Sequence, residues 1–207
     1  MRFKFAVLLA GAFLFATAPA FAGTVDFCTG QTPNTDVGLS LNSGGIVATG
    51  WEEIAGAPNA QQDLFCKVTS GDPTETGLGL ATDPSETSDH EIGIDDFIQM
   101  DLTHVNISSL TLEIGSIQSG EGFQFYSSNT SGVLGTAISG ASGTGGNTDT
   151  LTLNVSGIKY LNLTATSADV LLGTGTSTGG QTPEPGTYLL MGTGLLMLGF
   201  YMRRSLA

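Results

Sequence analysis

Along most of this chain apolar and polar side chains alternate, in short runs separated by Gly, Asn, Ser, Asp and Pro. The runs are Thr24 to Cys28, Ile46 to Trp51, Phe97 to Leu102, Ser109 to Ile114, Gly122 to Tyr126, Thr150 to Val155 and Tyr160 to Ala165. A period of two buries one face of a strand and wets the other. The clusters between the runs, such as Ser70-Gly71-Asp72-Pro73 and Ser127 to Gly132, are turn sequences. Between Gly23 and Gln181 no helical stripe is sustained, so an α/β fold is not expected. The pattern predicts an all-β domain of roughly eight to ten short strands, arranged as a jelly-roll-like β-sandwich. Gly173 to Gln181 is Gly, Ser and Thr except for its last residue. It predicts a flexible stalk.

The two ends break the alternation. At the start, Arg2 and Lys4 precede an apolar run from Phe5 to Phe15, and Ala20-Phe21-Ala22 supplies small residues two apart. That order predicts a secretory signal peptide cut between Ala22 and Gly23. At the other end, Thr182-Pro183-Glu184-Pro185-Gly186-Thr187 is followed by a charge-free run from Tyr188 to Met202 and then by Arg203 and Arg204. A helix apolar on every face predicts a single C-terminal transmembrane span, short of the usual ~20 residues. The two arginines act as its stop and favour a cytoplasmic C-terminus, placing everything before Thr182 across the membrane. The predicted parts are therefore a signal peptide (1–22), an ectodomain (23–172), a stalk (173–181) and a membrane tail (182–207).

Pro-Glu-Pro, a glycine-punctuated apolar helix and a terminal Arg pair, in that order, resemble the PEP-CTERM sorting signal of bacterial surface proteins. The resemblance implies recognition by an exosortase, an integral-membrane cysteine enzyme thought to cleave near Pro183, Glu184 and Pro185 and to pass the protein outward. An ordinary C-terminal anchor behind a proline-rich linker is the alternative. A second likeness, to an ectodomain found in many PEP-CTERM proteins, runs through Leu64 to Lys67, Glu75 to Leu80, His90-Glu91-Ile92, Phe97 to Leu102, Gly115 to Glu121, Ser128 to Thr130, Gly132 to Thr136, Lys159 to Leu161 and Asp169 to Leu172. It implies no assigned reaction.

Charge narrows the function. From Gly23 to Gln181 the basic residues are Lys67 and Lys159 against eighteen acids, a net of −16. Such a surface repels phosphate backbones, which excludes nucleic acid as a partner. Cys28 and Cys66 are the only cysteines. In an exported chain they are expected as a disulfide, with two buried thiols as the alternative.

Catalytic motifs are sparse. Gly175 to Gly179 spells Gly-x-Ser-x-Gly, but a nucleophile elbow needs a strand before it and a helix after it. Trp51, the single tryptophan, is expected as a core plug, with a sugar-stacking platform as the alternative. Asp83, Glu86, Asp89, Glu91, Asp95 and Asp96 crowd one loop-rich stretch. A solvated acidic surface is one reading. A structural Ca²⁺ held by Asp89 and Glu91 is the other, with no further cofactor expected. The sequence thus describes a non-catalytic exported surface or matrix protein. It is briefly anchored in the inner membrane, processed by an exosortase-type enzyme and associated with extracellular polysaccharide. The alternative is a secreted glycan-active hydrolase with paired carboxylates.

Overall fold

The structure, a computed structural model, describes residues 23–54, 58–81 and 90–179. Ala22, Asp89, Pro183, Glu184, Pro185, Arg203, Arg204 and the apolar run between them lie outside the described residues. Among the described residues no helix is long and apolar enough to cross a membrane.

The described chain is all-β. Its strands are β1 (Gly23–Val25), β2 (Thr35–Gly38), β3 (Ser40–Ser43), β4 (Ile46–Glu52), β5 (Ala60–Gln62), β6 (Leu64–Val68), β7 (Thr76–Leu80), β8 (Asp96–Asp101), β9 (Ser109–Ile117), β10 (Gly122–Ser128), β11 (Thr136–Thr144), β12 (Asn147–Asn154), β13 (Tyr160–Ser167) and β14 (Leu171–Thr178). A single 3-10 turn, Pro73–Glu75, precedes β7 and is capped by the Asp72 side chain. Two antiparallel sheets result. The first runs β12-β9-β14-β7-β6-β2 with β1 on β14, and the second runs β11-β10-β13-β8-β4-β3 with β5 on β4. From β7 onward the chain changes sheet at each step except in the β10–β11 hairpin.

The alternation seen in the sequence fills the space between the sheets. Leu110, Leu112 and Ile114 of the first sheet meet Ile98, Met100, Phe123, Phe125, Leu161 and Leu163 of the second in one cluster, each 0 % exposed. Burying such a side chain stabilises the fold by roughly 1.5–3 kcal/mol. Cys28 and Cys66 are joined by a disulfide, with Cα atoms 5.6 Å apart.

Two expectations change. The Gly/Ser/Thr stretch read as a stalk is strand as far as Thr178, paired to β9 on one side and to β1 on the other. Its glycines permit this: a Cβ on Gly175 would lie 2.4 Å from the Thr111 carbonyl oxygen, so only glycine lets β9 approach. The same strand carries Gly175 to Thr178, so Ser177 lies within a paired strand and not on the strand-to-helix turn that a nucleophile elbow needs. Trp51 is the other change. In β4 the buried positions are Ile46, Ala48 and Gly50, so Trp51 stands on the opposite, outer face and is only partly buried.

Candidate functional site

Both sheets carry chain across their outer faces, and in each case the covering creates a polar site. On the second sheet, the segment between β10 and β11 lies over Gln99 of β8 and Asn162 of β13, neighbours in the ladder. Both face outward and both are buried. Their amides satisfy one another and the segment above. Gln99 Nε2 donates to Asn162 Oδ1 at 3.0 Å, and Gln99 Oε1 accepts from the Gly132 amide at 2.9 Å and the Ser131 hydroxyl at 3.1 Å. Asn162 Nδ2 donates to the carbonyls of Val133 and Leu134. A buried amide pair is stabilising only when every atom is partnered, as here. Asn162 also begins an Asn-Leu-Thr glycosylation sequence, and its buried, fully bonded amide closes that sequence to modification in the folded chain.

That anchored segment forms one wall of a groove of about 550 Å³, with Trp51, Glu53, Pro58 and Asn59 opposite. The size falls in the range of small-ligand sites, about 300–1,000 Å³. Trp51 is fixed on three sides. Its Nε1–H donates to Thr49 Oγ1 at 2.9 Å, its ring stacks beside Phe97 at 6.4 Å, and the backbone of Gly132 lies against its six-membered ring. Gly132 has φ +72°, and a Cβ there would meet the indole at 2.8 Å. Asn59 Nδ2 holds the facing wall by donating to the Gly132 carbonyl at 2.9 Å. Burial, and then the charge of Asp95, push the Glu53 carboxyl above its ordinary range.

On the first sheet the covering pieces are the Pro73–Glu75 turn and His90 to Ile92. His90 stacks on Phe65 at 3.9 Å, and Ile92 makes a two-bond bridge to Val170. The backbone of His90 crosses Gly79 so closely that a Cβ there would lie 1.9 Å from its carbonyl oxygen. Beneath these pieces Lys67 forms ion pairs with both Glu75, at 3.1 Å, and Glu91. Ser116 closes the cluster. It takes φ +53° at the break in the β9–β12 register, where β9 carries one extra residue, and this turns its hydroxyl outward. From there it donates to Glu75 at 3.1 Å and to Glu91 at 2.8 Å.

The two carboxylates titrate apart. Burial raises Glu91, and the bonds from Lys67 and Ser116 do not cancel it. Burial also acts upward on Glu75, but Gln118 and Lys67 together outweigh it and hold that carboxyl below its ordinary value. Burial alone would depress Lys67, yet its two partners more than reverse this and leave the ammonium raised. One lysine between two acids therefore stays charged.

The structure separates the expected site residues. Asp89 lies outside the described residues, and Glu91 faces Lys67 and Ser116. Asp95 and Asp96 stand at the start of β8, close to Glu52 and Glu53. Among the described residues no three His, Cys, Asp or Glu side chains group as metal ligands. His104 is in an exposed turn. Sequence reasoning missed Lys67 and Glu75. The available signal was scarcity, since one of only two lysines in so acidic a body will be drawn to carboxylates.

Residues 181–205 match the PEP-CTERM protein-sorting motif. No curated protein matches the chain. The motif marks an exported protein sorted at the membrane by an exosortase toward the cell surface.

Proposed function

We propose that this protein is a non-catalytic surface or extracellular-matrix component. Its jelly-roll ectodomain is displayed outside the cell after exosortase processing, and it associates with extracellular polysaccharide through the groove beside Trp51. The observation that carries the reading is the sorting motif at 181–205. An N-terminal signal peptide cut after Ala22 and a transient span from Tyr188 to Met202 complete the route.

The strand order supports the jelly roll. In that fold eight strands make two four-stranded sheets, with successive strands exchanging sheets. The orders β12-β9-β14-β7 and β11-β10-β13-β8 fit this wrapping, and β2 to β6 widen both sheets on one side. Groove chemistry supports a neutral or hydroxyl-rich ligand. An aromatic edge, a side-chain amide, a carboxylate and exposed backbone line it, with no cationic side chain among the described residues. Sugars offer such a surface apolar C–H faces and many hydroxyls. Paired carboxylates do exist, in Glu75 and Glu91. Their oxygens are committed to Lys67, Ser116 and Gln118, whereas a general acid must aim its proton at a substrate.

The test is retention of the purified protein on the extracellular polysaccharide of its own cells. Wild type should be retained, and Trp51→Ala should bind about tenfold more weakly or worse, with Trp51→Phe between them. Equal retention of all three proteins would remove the groove from the account. Release of reducing ends by the wild type would establish the hydrolase instead.

A further inference from the structure

The Lys67 cluster holds the two halves of an amide bond in contact. Lys67 stands on β6, Glu75 ends the 3-10 turn, and Ser116 stands on β9. Glu91, in the covering piece, is held from both sides. His90 before it stacks on Phe65 and crosses Gly79, and Ile92 after it is bridged to Val170. The Glu91 carboxylate meets the Lys67 ammonium directly. The Ser116 hydroxyl lies 2.9 and 2.8 Å from its two oxygens, and Glu75 is 3.1 Å from the same ammonium.

Withdrawing two charges from water costs more than their attraction readily returns. An amide in their place carries no charge and leaves the burial intact. Free in water an ammonium and a carboxylate do not condense, because hydration stabilises both ions. Here most of that hydration is already lost, since the Glu91 side chain is 5 % exposed and that of Lys67 18 %. Reacting groups fixed in the right geometry also behave as though present at about 10⁵–10⁸ M.

We propose that Lys67 and Glu91 condense to an intramolecular isopeptide bond, with Glu75 relaying the protons. The ammonium brings three protons. Glu75, held in its ionised form, takes one and passes it to a Glu91 oxygen, where burial favours it. The freed Nζ lone pair then attacks Glu91 Cδ, and the Ser116 hydroxyl hydrogen-bonds the oxygen on which charge gathers. A second proton leaves the nitrogen through Glu75 for the departing oxygen. An Nζ–Cδ bond forms, a Cδ–O bond breaks, one water is released and the third proton stays on the amide. The opposite charges cancel, and no oxidant, reductant or second substrate enters. Lys67 follows Cys66, so β6 carries two covalent ties, the disulfide to Cys28 and the amide to Glu91. Reductant opens only the first. Unjoined chains keep the ion pair and titrate as it does. The bond is made once within one chain, and it does not depend on the glycan reading.

Intact mass spectrometry of the folded full-length protein, reduced so that the disulfide does not count, tests this. Wild type should be lighter than its own processed sequence by one water. Its digest should contain a branched peptide in which Lys67 is joined to Glu91. Lys67→Met and Glu91→Ala should keep the full mass. Glu75→Gln retains both reactants and should slow the joining, followed from refolding onward, by about a hundredfold. A wild type that keeps its full mass after prolonged incubation in the folded state overturns the proposal. So does a loss of water that Lys67→Met still shows, since the dehydration then lies elsewhere. Joining of Glu75→Gln at the wild-type rate overturns the part assigned to Glu75.

Discussion

Lys67→Met is expected to lower the stability of the fold by about 3 kcal/mol, the lower end of the cost of breaking a buried ion pair. The lower end applies because the Lys67 side chain keeps 18 % of its exposure, whereas Glu91 keeps 5 %. Methionine retains most of the aliphatic stem, so the loss reports the charge. Glu91 would be left buried with only the Ser116 hydroxyl against it. Lys67→Met/Glu91→Gln should then recover more than half of the loss, since removing both charges removes the uncompensated one.

The pH dependence has a definite sign. Glu75 is held below its ordinary value of 4.5, so its contribution is present above that value and is lost as pH falls through the lowered one. Lys67 is raised above 10.5, so its contribution is full below that value and is lost as pH rises through the raised one. Glu91, raised by burial, acts the other way and favours the fold as pH falls. The gap between wild type and Lys67→Met should therefore be widest below about 10.5 and above the raised range of Glu91, and should close in acid as first Glu91 and then Glu75 take up protons. A chemical-denaturation series across pH measures it. A loss below about 1 kcal/mol, typical of an exposed pair, would contradict the buried-cluster account.

Loss of the disulfide should be larger still. Cys28 and Cys66 are 38 residues apart, and closing a loop of that length stabilises by about 4 kcal/mol on the chain-entropy model. The closed loop contains β2 to β5, which belong to both sheets, so the bond restrains the layers on the side that β2 to β6 add. Cys28→Ala/Cys66→Ala should melt on the order of 10 °C lower. Reducing the wild type should reproduce the drop and leave the double variant unchanged. Indifference of the wild-type melt to reductant would contradict it.

Much of the fold was legible because its central strands are amphipathic. β4, β8, β9, β10, β12 and β13 each alternate apolar and polar residues with a period of two, although β8 and β13 are buried on both faces in the folded chain. β2, β3 and β5 are only three or four residues long, too short for a period to register. β11 and β14 are rich in Gly, Ser and Thr, and their strand character comes from partners in the ladder, not from side-chain burial. The position of Trp51 was within reach, since alternation through Ile46, Ala48 and Gly50 already sets residue 51 on the other face. The Lys67 cluster was not. It depends on Ser116 being turned outward by a one-residue bulge, and on Glu75 and Glu91 arriving from two different coverings. Acid spacing in the sequence drew attention to Asp89 and Glu91, whereas cross-strand register is what sets Glu52 against Asp96.

The whole account rests on a body that works outside the cell after its tail has been read at the membrane. The most direct measurement is the mass of the mature C-terminus from cells with and without the exosortase-type enzyme. With the enzyme, the product should end near Pro183, Glu184 and Pro185 and lack Arg203 and Arg204, and without it the tail should remain attached. A chain still ending at Ala207 in both, recovered from the cytosol with residues 1–22 in place, would contradict it.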